Sequence, residues 1–321
     1  MTKLTITAHT ETFKVAGHFT ISRGDQTEVE VIVCEVSDGT HTGRAEATPV
    51  YFEGETADLC VEAIDMRSKS RVPLTRETLL ETMMEGAARN ALDCALWDLE
   101  AKQAGVPLWQ LAKLPEPKPL LTAFTISLDA PEKMAEAAQK ATGAGFALLK
   151  LKLDGEDDVA RVAAVRAACP KARLIVDLNE AWEERDIEEE AATLVPYGVE
   201  LIEQPVAAGS EEDLAGIKSP IPLCADESCH THEDIDRCEG RFQVINIKLD
   251  KAGGLTEALL LAEKARMRGF DVMIGCMLGS SLGIAPAYAL AQKAKWVDLD
   301  APLLLAKDRA DGFKAENGLL D

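Results

Sequence analysis

Nothing in the chain approaches the run of about 20 apolar residues that a membrane-spanning helix needs. The opening stretch "MTKLTITAHTETFKV" alternates polar and apolar residues without a continuous apolar core, so it does not read as a signal peptide. Positive charge is scarce too. There are 34 Lys and Arg against 55 Asp and Glu, a formal charge of -21, which repels phosphate backbones and anionic membranes. Non-specific binding to nucleic acid or a lipid surface is not expected, and an anionic small substrate would need positive charge supplied locally. The eight cysteines, Cys34, Cys60, Cys94, Cys169, Cys224, Cys229, Cys238 and Cys276, include no CxxC pair and follow no framework spacing. They read as reduced, mostly core thiols of a cytoplasmic protein. What the chain does have is 321 residues, 47% of them hydrophobic, enough for a large core and roughly two domains on length alone.

Residues 1 to about 50 alternate with period two, most clearly in "TEVEVIVCEV", and turn at Asp38-Gly39, which predicts a small antiparallel sheet. Helical spacing follows in "TRETLLETMMEGAARNALDCALWDLEAKQAG" and stops near Gly105-Val106-Pro107. Pro115, Pro117 and Pro119 mark a linker. From Leu120 onward a short apolar strand, a polar loop and an amphipathic helix recur about every 25 residues, giving eight strand candidates: "LTAFTISL", "ALLKLKL", "RLIVDLN", "VELIEQP", "IPLCADES", "FQVINIKL", "DVMIGCM" and "KWVDLDA". Eight such units close into a parallel barrel. The competing open, doubly wound sheet is disfavoured because no glycine-rich dinucleotide or phosphate fingerprint follows the first strand.

Nearly every candidate strand ends in an ionisable side chain, and in parallel barrels that end carries the chemistry. "ALLKLKLD" places Lys150 and Lys152 on one strand face, either as solvated charges of an edge strand or as a functional pair. A single acid at a strand end is ordinarily a helix cap or a solvated charge. Here Asp177, Glu203 and Asp226 follow three adjacent strands, so their carboxylates would converge and need a cation. All-oxygen ligation favours Mg2+ or Mn2+ over zinc. Lys152 and Lys248 would flank that cluster and reach a bound substrate from opposite faces, which suits removal of a proton alpha to a carboxylate and its return on the other side. A lysine titrates near about 10.4, and a general base needs about 7 to 8; Lys150 is the neighbouring cation expected to tune Lys152 downward. Lys251 rivals Lys248 as second base, but it falls in the following turn and is expected to be solvated.

The motifs "KLKLD", "IVDLNEAW", "LIEQP", "CADESCHT", "INIKLDKAGGLTEAL" and "DLDAP" resemble the enolase superfamily, in its muconate lactonizing subgroup, and within it the dipeptide epimerases acting on Ala-Glu in cell-wall peptide recycling. The resemblance spans the whole chain. It implies an α/β protein, a modified TIM barrel of (β/α)7β form over 118–305 with an α+β capping domain over 1–117, to which a tail from about 306 to 321 returns. It implies one Mg2+ per site on Asp177, Glu203 and Asp226, with Asn179 in support, and acid/base roles for Lys152 and Lys248. It also implies that Asp298 and Asp300 grip the alpha-ammonium group of a dipeptide, a pairing that disfavours uncharged N-acyl groups.

Substrate choice in that family is implied to depend on the capping loop, here "GHFTISRGD", where Arg23 suits a side-chain carboxylate but is also the kind of arginine found on any surface. Thr125, ending the first strand, is a candidate substrate contact. Gly279 stands where many relatives carry an acid, so no catalysis is assigned to that loop. His9, His18 and His41 carry no site signal; His230 and His232 are expected to start the helix after the fifth strand, not to hold a metal. Alternatives that keep fold and metal are N-acyl amino acid racemase, o-succinylbenzoate synthase and muconate cycloisomerase. A Schiff-base aldolase and a non-catalytic scaffold depart further. A small-molecule dipeptide is the expected partner, and a homo-oligomer is compatible with the sequence.

Overall fold

The structure, a computed structural model, describes residues 4–183 and 185–321; the His18 side chain lies outside the described residues. The predicted N-terminal sheet is an antiparallel hairpin of Thr5–Ile21 and Gly24–Ser37, extended by Thr42–Ala47. Its apolar run is buried on both faces. Ile32, Cys34 and Val36 join the main core, while Val29 and Val31 pack with Val15, Leu278 and Leu305 above the barrel. The helical stretch after it is broken in two, Arg76–Thr82 and Ala87–Ala104: the chain turns extended at Met83, and Gly86, at a φ of 121° that suits glycine, leads into the second helix.

All eight predicted barrel strands form, ordered sequentially and parallel in one sheet: Ala123–Ile126, Leu148–Lys152, Arg173–Asp177, Val199–Glu203, Leu223–Ala225, Val244–Ile247, Asp271–Gly275 and Trp296–Asp298. Side chains close the seam between the first and last: Leu299 N–H donates to Thr122 Oγ1 at 2.9 Å and Thr125 N–H donates to Asp300 Oδ2 at 2.6 Å. Asp300 lies just past the last strand's end, so this closing bond lies at the barrel mouth.

The interior follows from strand parity. One layer is apolar, with one residue from each strand: Ala123, Leu148, Ile175, Leu201, Cys224, Val244, Met273 and Trp296. Two residues on, the same face carries Thr125, Lys150, Asp177, Glu203, Asp226, Asn246, Gly275 and Asp298. An apolar plug thus floors a polar layer. Gly275 is small for a reason, since a Cβ there would lie 2.7 Å from Asn246 Oδ1.

The cap is fixed to the barrel by buried polar contacts from helix Ala87–Ala104. Asn90 Nδ2 donates to Asp250 Oδ1 at 2.9 Å, Arg89 donates to the carbonyls of Ala252 and Gly253, and Asp93 Oδ2 accepts from Thr256 N–H at 2.9 Å. Gly253 and Gly254, both at positive φ, make that approach; a Cβ on either would meet Arg89 or Asp93 at 2.4 and 2.5 Å. The tail crosses back over the cap, where Ala306 N–H donates to the Lys14 carbonyl and Arg309 pairs with Glu11 and Glu46. It ends as a hairpin, Ala315–Glu316 with Leu319–Leu320, on Leu120–Leu121.

Candidate active site

Three barrel strands carry their charges in register: Lys152 pairs with Asp177, and Asp177 with Glu203, so the ends of the second, third and fourth strands lie level. Asp177, Glu203 and Asp226 are fully buried. Lys150 sits among them, its Nζ 2.9 Å from Asp177 Oδ2, 2.7 Å from Glu203 Oε2 and 2.8 Å from Asp298 Oδ2. Neither an edge strand nor a solvated charge describes it. Burial pulls the Lys150 pKa down, but Asp177, Asp298 and Glu203 outweigh that and hold the ammonium charged well above its ordinary range.

Lys152 donates to Asp177 Oδ2 at 2.6 Å and to Asn179 Oδ1 at 3.0 Å, while Lys248, just past the sixth strand, donates to Asp226 Oδ2 at 2.6 Å. The second and sixth of eight strands stand on opposite walls of a barrel, so the two ammonium groups face each other. Against the lowering effect of burial, Asp226 holds Lys248 above the usual lysine range. Among the carboxyls, burial and then Asp177 push Glu203 up to about 8. Burial raises Asp177 and Asp226 too, yet the lysines around each leave both below the ordinary range. Burial and Asp298 push Asp300 up to about 7.

Lys251 departs from expectation. It lies in the short helix Leu249–Ala252 and is 1% exposed, not solvated. Its ammonium pairs with Asp226 Oδ1 at 2.6 Å and donates to the carbonyls of Asp226, Cys229 and Asn246. Those contacts use its donors for structure, away from the cavity. Arg23 is also no free surface residue: it is half-buried, donates to Glu180 and Glu227, and stacks 5.1 Å from the Phe52 ring centroid. Glu180 and Glu227 carry no signal of their own in the sequence, although "NEAW" and "DESC" place them directly after Asn179 and Asp226. His230 is partly buried, and that burial followed by Lys251 lowers its pKa to about 4. His232 pairs with Glu257 at 2.6 Å.

Between cap and barrel lies a cavity of about 60 Å³. Lys152, Asn179, Glu227 and Lys248 line it from the barrel, Phe19, Ile21 and Arg23 from the hairpin, and Tyr51 and Phe52 from the segment after the third cap strand. Besides the Arg23 contacts, two hydrogen bonds hold the hairpin tip down: Leu128 N–H to the Thr20 carbonyl at 2.9 Å, and Ser22 Oγ to the Asn179 carbonyl at 3.3 Å. Among the described residues, no three His, Cys, Asp or Glu side chains form a ready-made ligand group for a metal.

Residues 133–319 match the family model "Enolase C-terminal domain-like", and residues 4–112 match "Mandelate racemase / muconate lactonizing enzyme, N-terminal domain". The chain belongs to the enolase superfamily. An N-acetyl-D-glutamate racemase of a Pseudoalteromonas species is 46% identical over 90% of this chain and 91% of its own length. The L-Ala-D/L-Glu epimerase of Escherichia coli K12 is 40% identical over 98% and 99%. In three dimensions, an enolase family member from Agrobacterium tumefaciens, with homology to dipeptide epimerases and with bound sodium and L-Ala-L-Glu, superposes with a TM-score of 0.94 at 46% identity over 99% and 97% of the two chains. A dipeptide epimerase of Enterococcus faecalis V583, complexed with Mg and L-Leu-L-Tyr, gives 0.90 at 29% identity over 99% and 97%. This enolase-superfamily member is an isomerase of the racemase and epimerase class.

Proposed function

We propose that the enzyme is a dipeptide epimerase that inverts the alpha carbon of the C-terminal residue of L-Ala-L-Glu or L-Ala-D-Glu by a two-base proton transfer. The observation that carries this is the placing of Lys152 and Lys248 on opposite walls of one cavity. A carbon held between them loses its proton to one lysine as the free amine, a form that engagement of Asp226 by a bound cation would favour at Lys248, while the other, as the ammonium, returns a proton to the opposite face. Asp177 and Asn179 orient the first lysine and Asp226 the second. The buried pair Asp298 and Asp300 suits the substrate's alpha-ammonium, for Asp298 Oδ1 is buried without a hydrogen-bond partner. Arg23 suits the glutamate side chain.

A divalent cation, as in the Enterococcus faecalis complex, fits the residues present. Asp177, Glu203 and Asp226 form an anionic, all-oxygen, buried set, and one Nζ already lies within 2.9 Å of both Asp177 Oδ2 and Glu203 Oε2, so these two oxygens reach a single cation. Glu203 Oε2 and Asp226 Oδ1 are buried and matched only by the ammonium groups of Lys150 and Lys251, at 2.7 and 2.6 Å. Mg2+ held there would neutralise the negative charge that develops on the substrate carboxylate as the alpha proton leaves. Asn246 steadies the set by donating to Glu203 Oε1 at 2.7 Å.

The Pseudoalteromonas relative favours one rival substrate, N-acetylglutamate. Its amide nitrogen carries no charge for Asp298 and Asp300 to bind, so L-Ala-L-Glu should be epimerised with the higher kcat/KM. An enzyme that racemises N-acetylglutamate and leaves L-Ala-L-Glu untouched would overturn the dipeptide assignment.

A further inference from the structure

A single guanidinium nitrogen, Arg23 Nη2, donates to two carboxylates at once: Glu227 Oε1 at 2.7 Å and Glu180 Oε2 at 2.5 Å. The two acids differ. The Glu227 side chain is 2% exposed and also accepts from Asn179 Nδ2 at 3.3 Å, so it is a fixed counter-charge. Glu180 is 25% exposed, and its other oxygen accepts from Ala208 N–H at 2.7 Å, a bond it keeps if Arg23 is given up. Its backbone has a φ of 74°, costly for a residue with a Cβ and typical of positions under functional constraint. Glu227 alone already matches the Arg23 guanidinium, so Glu180 is a second carboxylate on one cation. A substrate side chain bearing a third carboxylate would be repelled unless one acid withdraws, and only Glu180 can withdraw into water.

We propose that Glu180 is a displaceable stand-in for the substrate's side-chain carboxylate: it neutralises Arg23 when no acidic substrate is bound, and its displacement sets how strongly the enzyme prefers acidic over neutral residues. This rests on the reading that Arg23 faces the side chain of the C-terminal substrate residue. The displacement leaves the hairpin tip in place, because Arg23 stays on Glu227 and Ser22 stays on the Asn179 carbonyl.

The test compares L-Ala-L-Glu with its neutral isostere L-Ala-L-Gln on the same preparations of wild type, Glu180→Gln and Glu180→Ala. Because the readout is a ratio of two substrates, a partly unfolded variant does not distort it. Removing the competing carboxylate should raise the acidic-to-neutral ratio of kcat/KM about tenfold in both variants, through KM and not kcat, the size of one charge-assisted contact. Arg23→Gln should lower the same ratio. An unchanged or lower ratio in the Glu180 variants overturns the proposal. Calorimetric Kd values for the two dipeptides give the ratio without turnover, so they decide the exchange at Arg23 even in an enzyme that epimerises neither; absence of turnover counts against the epimerase reading alone.

Discussion

Lys248 and Lys251 lie three positions apart in "NIKLDK" and have opposite fates, because a helix begins between them, at Leu249. Lys248 keeps the strand's inward parity and lines the cavity; Lys251 has turned into a short helix that carries its ammonium under the loop holding Asp226. Nothing local in the sequence marks Lys251 as buried, since its partners are an aspartate and three carbonyls at up to 25 residues' separation. Lys251→Met should cost about 3–5 kcal/mol in urea unfolding, as expected when one member of a buried charged cluster is lost. A cost below about 1 kcal/mol would show that the cluster tolerates its removal. The inward-facing residues, by contrast, were legible. Period-two parity from the apolar floor predicts Lys150, Asp177, Glu203, Asp226 and Asp298 without any knowledge of their partners. What parity does not supply is who neutralises whom: Lys150 was expected to act on Lys152 as a nearby cation, and in the structure three carboxylates balance its charge.

Helix Ala87–Ala104 couples cap and barrel, and its contacts make that joint sensitive to pH. Burial pushes Asp250 up to about 7, while the unfolded chain releases the same proton near about 4. The folded state therefore holds a proton that the unfolded state has lost, and stability falls as pH rises from about 4 through 7. Asp250→Asn retains an oxygen acceptor for Thr48 N–H and Asn90 Nδ2 and removes the buried charge. Its calorimetric Tm should exceed that of the wild type at pH 8, by roughly 2 °C for each kcal/mol, and the gain should shrink steadily toward pH 5. A difference independent of pH would contradict this assignment. Gly253→Ala should loosen the same joint, by more than about 1–2 kcal/mol, since it adds both a left-handed penalty and a clash with Arg89. The strands and their order were readable from short apolar runs ending in charge. The cap-to-barrel contacts were not, because Asn90–Asp250 and Glu46–Ser280 join residues 160 and 234 positions apart and leave no periodic trace.

Across the whole molecule the barrel supplies charges, the hairpin closes over them, and the C-terminal tail clamps cap to barrel through Arg309. If Asp177, Glu203 and Asp226 hold a divalent ion, Mg2+ at about 100 times its Kd should stabilise the folded chain by about 2.7 kcal/mol, and chelation should abolish both that gain and turnover. Unchanged thermal stability on titration with Mg2+ and Mn2+ would remove the metal from the site. The two facing lysines remain the central claim, and solvent deuterium reads them directly. In D2O the wild type should wash one deuterium into the alpha carbon of the C-terminal residue starting from either epimer of Ala-Glu, while Lys152→Ala and Lys248→Ala should each lose epimerisation by at least about a hundredfold. Epimerisation near the wild-type rate in either variant would contradict a proton relayed between opposite walls of this barrel.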